Sequence, residues 1–229
     1  MIPGPTNPQT MYEWFEDFLK VDATNDITST DDGATGTNTL NGTAGGTYSV
    51  VSAAADNDYH LMSSKAKSIG LNAAKPAWFE ARINLTEANT SAANWIVGVS
   101  DTLTTGNLAD NGAGPATNQD AIAFYKVDGG TTIGFLTSNG TAQTLNASLA
   151  TFTSGVWYRL GWHFDPNDGT TAIVTPFVYN ETTGVRTVGA SHRVTVASLG
   201  PCYTIFGVKA GSGSAETLIV DYVRAVVKR

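Results

Sequence analysis

The sequence predicts an all-β protein, a two-sheet antiparallel β-sandwich of jelly-roll type, and three observations carry that prediction. Composition is the first. Of 229 residues, 41% are hydrophobic but only 14% are charged, well below the ~25% usual for soluble domains. The gap is filled by 32 Thr, 24 Gly and 16 Asn. Thr suits half-buried sheet faces, while Gly and Asn supply the positive φ that tight turns need. The second observation is alternation. Along 156–164, Val156, Tyr158, Leu160, Trp162 and Phe164 share one face, with Trp157, Arg159, Gly161 and His163 on the other. Residues 78–85 repeat the pattern, with Phe79, Ala81, Ile83 and Leu85 against Trp78, Glu80, Arg82 and Asn84. Turn punctuation is the third: Asp128-Gly129-Gly130 and Asn139-Gly140 separate apolar runs, and Asp165-Pro166-Asn167-Asp168-Gly169 marks a further turn. No ten-residue stretch keeps a 3.6-residue period and no fixed-length repeat occurs, which excludes a helical bundle, a propeller and a solenoid.

Taken in order, residues 1–10 hold Ile2, Pro3, Pro5 and Pro8 and no core pattern, so they read as an extended arm. Met11 to Lys20 is dense in aromatics and reads as a strand or a short helix, with a strand entering a sheet edge favoured. Residues 22–47, rich in Asp, Thr, Gly and Asn, read as a long loop with one short strand at most. Strands are then expected at 47–54, 58–63, 77–86, 94–100, 121–128, 131–138, 141–146, 156–164, 171–180, 185–190, 192–197, 203–209 and 217–227. No linker interrupts 11–229, which is expected to be a single domain.

Charge and cysteine content exclude several functions. The net charge is −7, and the densest basic positions are Lys65/Lys67 and Lys228-Arg229. A phosphate-neutralising surface is absent, so no nucleic acid is expected as a partner. No apolar run approaches the ~20 residues of a membrane span, and no membrane partner is expected. The first residues lack the basic and apolar regions of a signal peptide. Cys202 is the one cysteine, so no internal disulfide forms and folding in a reducing cytoplasm is expected.

A search for catalytic chemistry returns little. No Gly-x-Ser-x-Gly occurs, and His60, His163 and His192 are scattered. A lone Cys and three dispersed His give no zinc spacing. Calcium would suit the oxygen-rich turns at Asp165/Asn167/Asp168 or Asp101 through Asp110, but neither matches a calcium loop, and no cofactor is expected. Glycoside hydrolysis needs two carboxylates across a cleft. Of the six Glu, only Glu80 lies mid-strand. Arg82, two residues on, is expected to pair with it and depress its pKa, the wrong direction for a general acid. No enzyme is expected. Sugar binding needs less, an aromatic platform with a few polar groups. Trp78, Glu80, Arg82, Trp157, Arg159 and His163 would supply both if their two strands share a sheet. The plainer reading, and the one favoured from sequence, is that these Trp residues pack under a covering loop or at a subunit interface.

Several segments, in order, resemble a family. They are Trp14-Phe15-Glu16-Asp17-Phe18-Leu19, Trp78-Phe79-Glu80-Ala81-Arg82-Ile83, Trp95-Ile96-Val97-Gly98-Val99-Ser100, Ala121-Ile122-Ala123-Phe124-Tyr125-Lys126, Trp157-Tyr158-Arg159-Leu160-Gly161-Trp162 and Leu218-Ile219-Val220-Asp221-Tyr222-Val223. Together they are similar to the concanavalin A-like (laminin G-like) jelly roll of structural proteins from tailed bacteriophages. The resemblance implies a virion component made in the host cytoplasm, a capsid decoration or cement protein. Its partners would be the major capsid protein and copies of itself, as a homotrimer, with the arm of Ile2, Pro3, Pro5 and Pro8 reaching a neighbouring subunit. The alternative is a carbohydrate-binding, lectin-like module or host-surface adhesin in a head-fibre or tail-associated role, with host-surface glycans as partners. The relatives' loop calcium ligands have no matching residues here.

Overall fold

Strict alternation gives each strand one apolar face, and two sheets bury those faces against each other. The computed structural model describes residues 10–21, 26–42, 45–71 and 75–229. The first sheet runs β14 (Val185–Val188), β13 (Thr171–Asn180), β12 (Trp157–Pro166), β7 (Ala77–Thr86), β17 (Thr217–Lys228), β4 (Thr47–Val51) and β3 (Thr37–Asn41). Beside this path, β1 (Met11–Glu16) pairs β17 and β15 (His192–Thr195) pairs β13. The second sheet runs β11 (Gln143–Thr151), β10 (Thr132–Asn139), β9 (Asp120–Lys126), β8 (Ala93–Ser100), β16 (Pro201–Ala210), β5 (Tyr59–Ser64) and β2 (Ile27–Asp32), with β6 (Ile69–Gly70) on β16. Neighbouring strands are antiparallel throughout. Helical structure among the described residues is confined to two 3₁₀ turns, Thr105–Asn107 and Val196–Ser198.

All thirteen strands expected from 47 onward are present, and Met11–Glu16 is a strand. The long loop expected over 22–47 instead contains two strands, β2 and β3. Both lie at sheet edges, and their sequences, ITSTDD and TNTLN, carry no apolar alternation because edge strands expose much of their surface. The proposed arm residues Ile2, Pro3, Pro5 and Pro8 lie outside the described residues.

The core between the sheets is built from fully buried aromatics, including Phe79, Trp95, Phe124, Phe135, Tyr158, Trp162, Phe164 and Phe206. Phe79 and Trp162, directly opposed on β7 and β12, stack with ring centres 5.6 Å apart and planes 12° apart. Such pairs add about 0.5–1.5 kcal/mol beyond their area burial.

The two sheets treat their outer faces differently. Every residue of β5 and β8 is buried, because segment 101–118 lies across the second sheet. Its Leu108 packs in a satellite core with Ile96, Ala123, Tyr125, Leu136 and Ile205. Two buried lysines secure this end of the sandwich. Lys209 Nζ donates to the Leu108 carbonyl at 3.1 Å and pairs with Asp110. Lys126 Nζ donates to the carbonyls of Ser91, Ala93 and Val127 at 2.8–3.2 Å and pairs with Glu87 at 2.7 Å. The first sheet keeps an open face. Residues of β13 alternate between buried and half-exposed along most of their length.

Close packing in the second sheet gives a direct test. A Cβ at Gly98 would press on the Ile122 carbonyl oxygen and the Ala123 backbone. Gly98→Ala is expected to cost about 1–3 kcal/mol and to lower Tm by about 2–4 °C for each kcal/mol. Scanning calorimetry checks this, and an unchanged Tm would contradict the packing.

Candidate functional site

Pairing of β7, β12, β13 and β14 brings distant residues into rows across the outer face of the first sheet. One row is Trp78, His163 and Thr175; the next is Glu80, Gly161, Phe177 and Val188; the third is Arg82, Arg159, Tyr179 and Arg186. The six residues singled out in the sequence, Trp78, Glu80, Arg82, Trp157, Arg159 and His163, therefore share one face, and all are partly exposed. Gly161 is the gap that shapes it. A Cβ there would lie 2.5 Å from the Phe177 ring, so the bare backbone lets that ring lie across β12.

Rings and cations interleave. The guanidinium of Arg82 sits 4.1 Å from the Trp157 ring centre, that of Arg159 4.5 Å from Tyr179, and that of Arg186 4.5 Å from Phe177. Trp78 and His163 stack at 5.2 Å, 21° from parallel. Burial holds the His163 pKa below its ordinary value, which favours a neutral ring against the indole.

The expected Arg82–Glu80 pair does not form. Arg82 instead donates through Nε and Nη2 to Glu181, at 3.0 and 2.8 Å, and through Nη1 to Asp221 at 3.1 Å. The reason lies in the neighbouring strands. Glu181 follows the end of β13, and a register shift between Val220 and Tyr222 places Asp221 at an irregularity in β17. Both carboxylates approach the guanidinium fork better than a same-strand neighbour does. Glu80 accepts a 2.5 Å hydrogen bond from the Tyr222 hydroxyl. Burial, with the Glu80 carboxylate beside it, raises the Tyr222 pKa. Hydrogen bonding from Arg82 holds the Glu181 carboxyl below its usual value.

Two adjoining grooves result. The larger, about 550 Å³, is lined by Glu80, Arg159, Phe177, Tyr179 and Arg186. The smaller, about 220 Å³, runs past Trp78, His163 and Thr175 and shares Phe177 and Arg186. The sequence reading missed Phe177, Tyr179, Glu181, Arg186, Asp221 and Tyr222. Strand 171–180 is apolar on both faces, so its period of two did not separate inside from outside.

Elsewhere, polar groups serve the fold. The Asp168 carboxylate, in one of the turns considered for calcium, accepts from the Thr170 and Thr171 amides at 3.0 and 2.7 Å and pairs with Arg193. Among the described residues, no group of three or more His, Cys, Asp and Glu is arranged to hold a metal. His60 is buried, with Nδ1 2.5 Å from Asp31 and Nε2 accepting from the Asn38 amide at 3.2 Å.

No protein-family model matches the chain, and no curated protein matches it by sequence. Solved structures do match over nearly its full length. Peanut lectin aligns with a TM-score of 0.62 at 11% identity, covering 95% of this chain and 97% of that one. Lectin II from Ulex europaeus gives 0.62 at 12%, covering 95% and 98%. A protein of unknown function from Shewanella oneidensis MR-1 gives 0.60 at 14%, covering 100% and 97%. The fold is the concanavalin A-like jelly-roll sandwich of the legume lectins.

Pairing of Glu181 with Arg82 has a pH consequence. A carboxyl whose folded pKa is depressed adds stability above its unfolded value, 4.5, and loses it as pH falls through the folded pKa. The stability difference between the wild type and Glu181→Gln is therefore expected to shrink between about pH 6 and about pH 3, as read by urea unfolding. A difference constant with pH would contradict the pairing.

Proposed function

We propose that this chain is a non-enzymatic carbohydrate-binding protein whose ligand lies along the grooves on the outer face of the first sheet. The observation that carries the reading is the five-residue lining of the larger groove. Phe177 and Tyr179 line the groove with apolar ring carbon beside the guanidinium groups stacked on them, an apolar edge for the C–H groups of a sugar, while Glu80, Arg159 and Arg186 present acceptors and donors for adjacent hydroxyls. The lectin names of two structural neighbours support the reading. Hydrolysis is not supported. Glu181 is held by Arg82, whose hydrogen bonds lower its pKa and disfavour a general acid there, and Asp221 is paired with the same guanidinium.

Glycan-array screening followed by calorimetry is the test. Phe177→Ala and Tyr179→Ala are each expected to weaken binding about tenfold, ~1.4 kcal/mol. No binding at millimolar sugar would overturn the proposal.

A second reading places this binder on a virion, as a capsid decoration protein bound to the major capsid protein and to further copies of itself. The resemblance of six segments along the chain to tailed-phage structural proteins supports it. Phe15 and Leu19, 52% and 64% exposed, offer apolar surface beside β1. Deleting residues 1–9 is expected to weaken attachment while leaving circular dichroism unchanged. Absence of the protein from purified particles, by mass spectrometry, would contradict this reading.

A further inference from the structure

We infer that the larger groove recognises a carboxylated sugar, with Arg159 and Arg186 receiving the carboxylate. The inference rests on the glycan-binding reading and narrows its ligand class.

The cations of this face are not equivalent. Arg82 is satisfied by two carboxylates, Glu181 and Asp221. Arg224 is paired with Glu13. Arg186 has no ion-pair partner among the described residues. Arg159 approaches only Glu181, through Nε at 3.2 Å, and Arg82 already holds that carboxylate through two nitrogens. The Arg159 side chain is 43% exposed. Two incompletely satisfied guanidinium groups therefore line one groove.

Their orientation is prepared by the rings beneath them. Phe177 and Tyr179 lie two residues apart on β13, ~6–7 Å along the strand, and each carries one guanidinium over its face. Stacking occupies the plane of a guanidinium and leaves its N–H edge available, the edge that binds a planar carboxylate bidentately. Tyr179 is the register partner of both arginine positions, Arg159 on β12 and Arg186 on β14, and the two guanidinium groups turn onto adjacent rings, Arg159 onto Tyr179 and Arg186 onto Phe177. Glu80 lines the same groove and is suited to accept from sugar hydroxyls, while its charge disfavours an anion on its own side. Arg159 and Arg186 against Glu80 leave the lining locally positive in a chain of net charge −7. A neutral sugar would use the rings and leave the two guanidinium edges facing water. A carboxylate engages them.

The test titrates the full chain with a galacturonate oligomer and with sialyllactose, each alongside its methyl ester, by calorimetry. At least one free acid is expected to bind about tenfold more tightly than its ester, and rising salt is expected to erode that preference. Arg186→Ala and Arg159→Ala are expected to abolish it, whereas Arg186→Lys keeps the charge without the fork and retains only part of it. Which acid shows the preference separates a uronate from a sialate. Equal binding of acids and esters would overturn the carboxylate assignment while leaving sugar binding intact. Binding of neither acids, esters nor neutral oligosaccharides would overturn the glycan reading itself. A preference that survives both alanine variants would place the carboxylate elsewhere.

Discussion

The register between β7 and β12 is the constraint on which the rest of the molecule depends. Side chains alternate with a period of two, so one alignment sets both faces of the sheet. In the observed register, Phe79 meets Trp162 inside and Trp78 meets His163 outside. A one-residue slip of β12 against β7 would carry Tyr158, Leu160, Trp162 and Phe164 to solvent and bury Arg159 and His163. The core contact therefore enforces the arrangement of the outer face, and stability and site geometry derive from the same strand pair.

Asymmetry between the sheets explains how a chain so poor in charge still presents a polar surface. The second sheet is sealed by segment 101–118, and its buried lysines are used internally, against carbonyls and carboxylates. Burying a cation this way requires nearly complete pairing, because a desolvated ammonium is costly without it. The first sheet carries Glu13, Glu80, Arg82, Arg159, Glu181, Arg186, Asp221 and Arg224 across one exposed side. Charge is scarce in the sequence but concentrated where it can meet a partner.

The fold was largely legible in the sequence because alternation and turn residues are local signals. β2 and β3 were not, since edge strands that expose polar side chains carry no apolar rhythm. About half of the site was legible, from two strands whose polar faces stood out: 78–85 and 156–164. Phe177, Tyr179 and Arg186 were hidden because their meeting with Arg159 depends on which strands become neighbours, a tertiary choice that sandwich folds make without a local mark. The mistaken Arg82–Glu80 pairing has the same origin. Proximity along a strand was visible, but the stronger claim of Glu181 and Asp221 on that guanidinium came from β13 and β17.

The most direct measurement of the central claim follows the five Trp indole N–H resonances during titration with a glycan already shown by calorimetry to bind. Trp78 lines the smaller groove, whereas Trp95 is fully buried on the second sheet. The Trp78 signal is expected to move with saturation while Trp95 stays fixed. An unmoved Trp78 at saturation, with shifts confined to residues of the second sheet or its covering segment, would contradict the account.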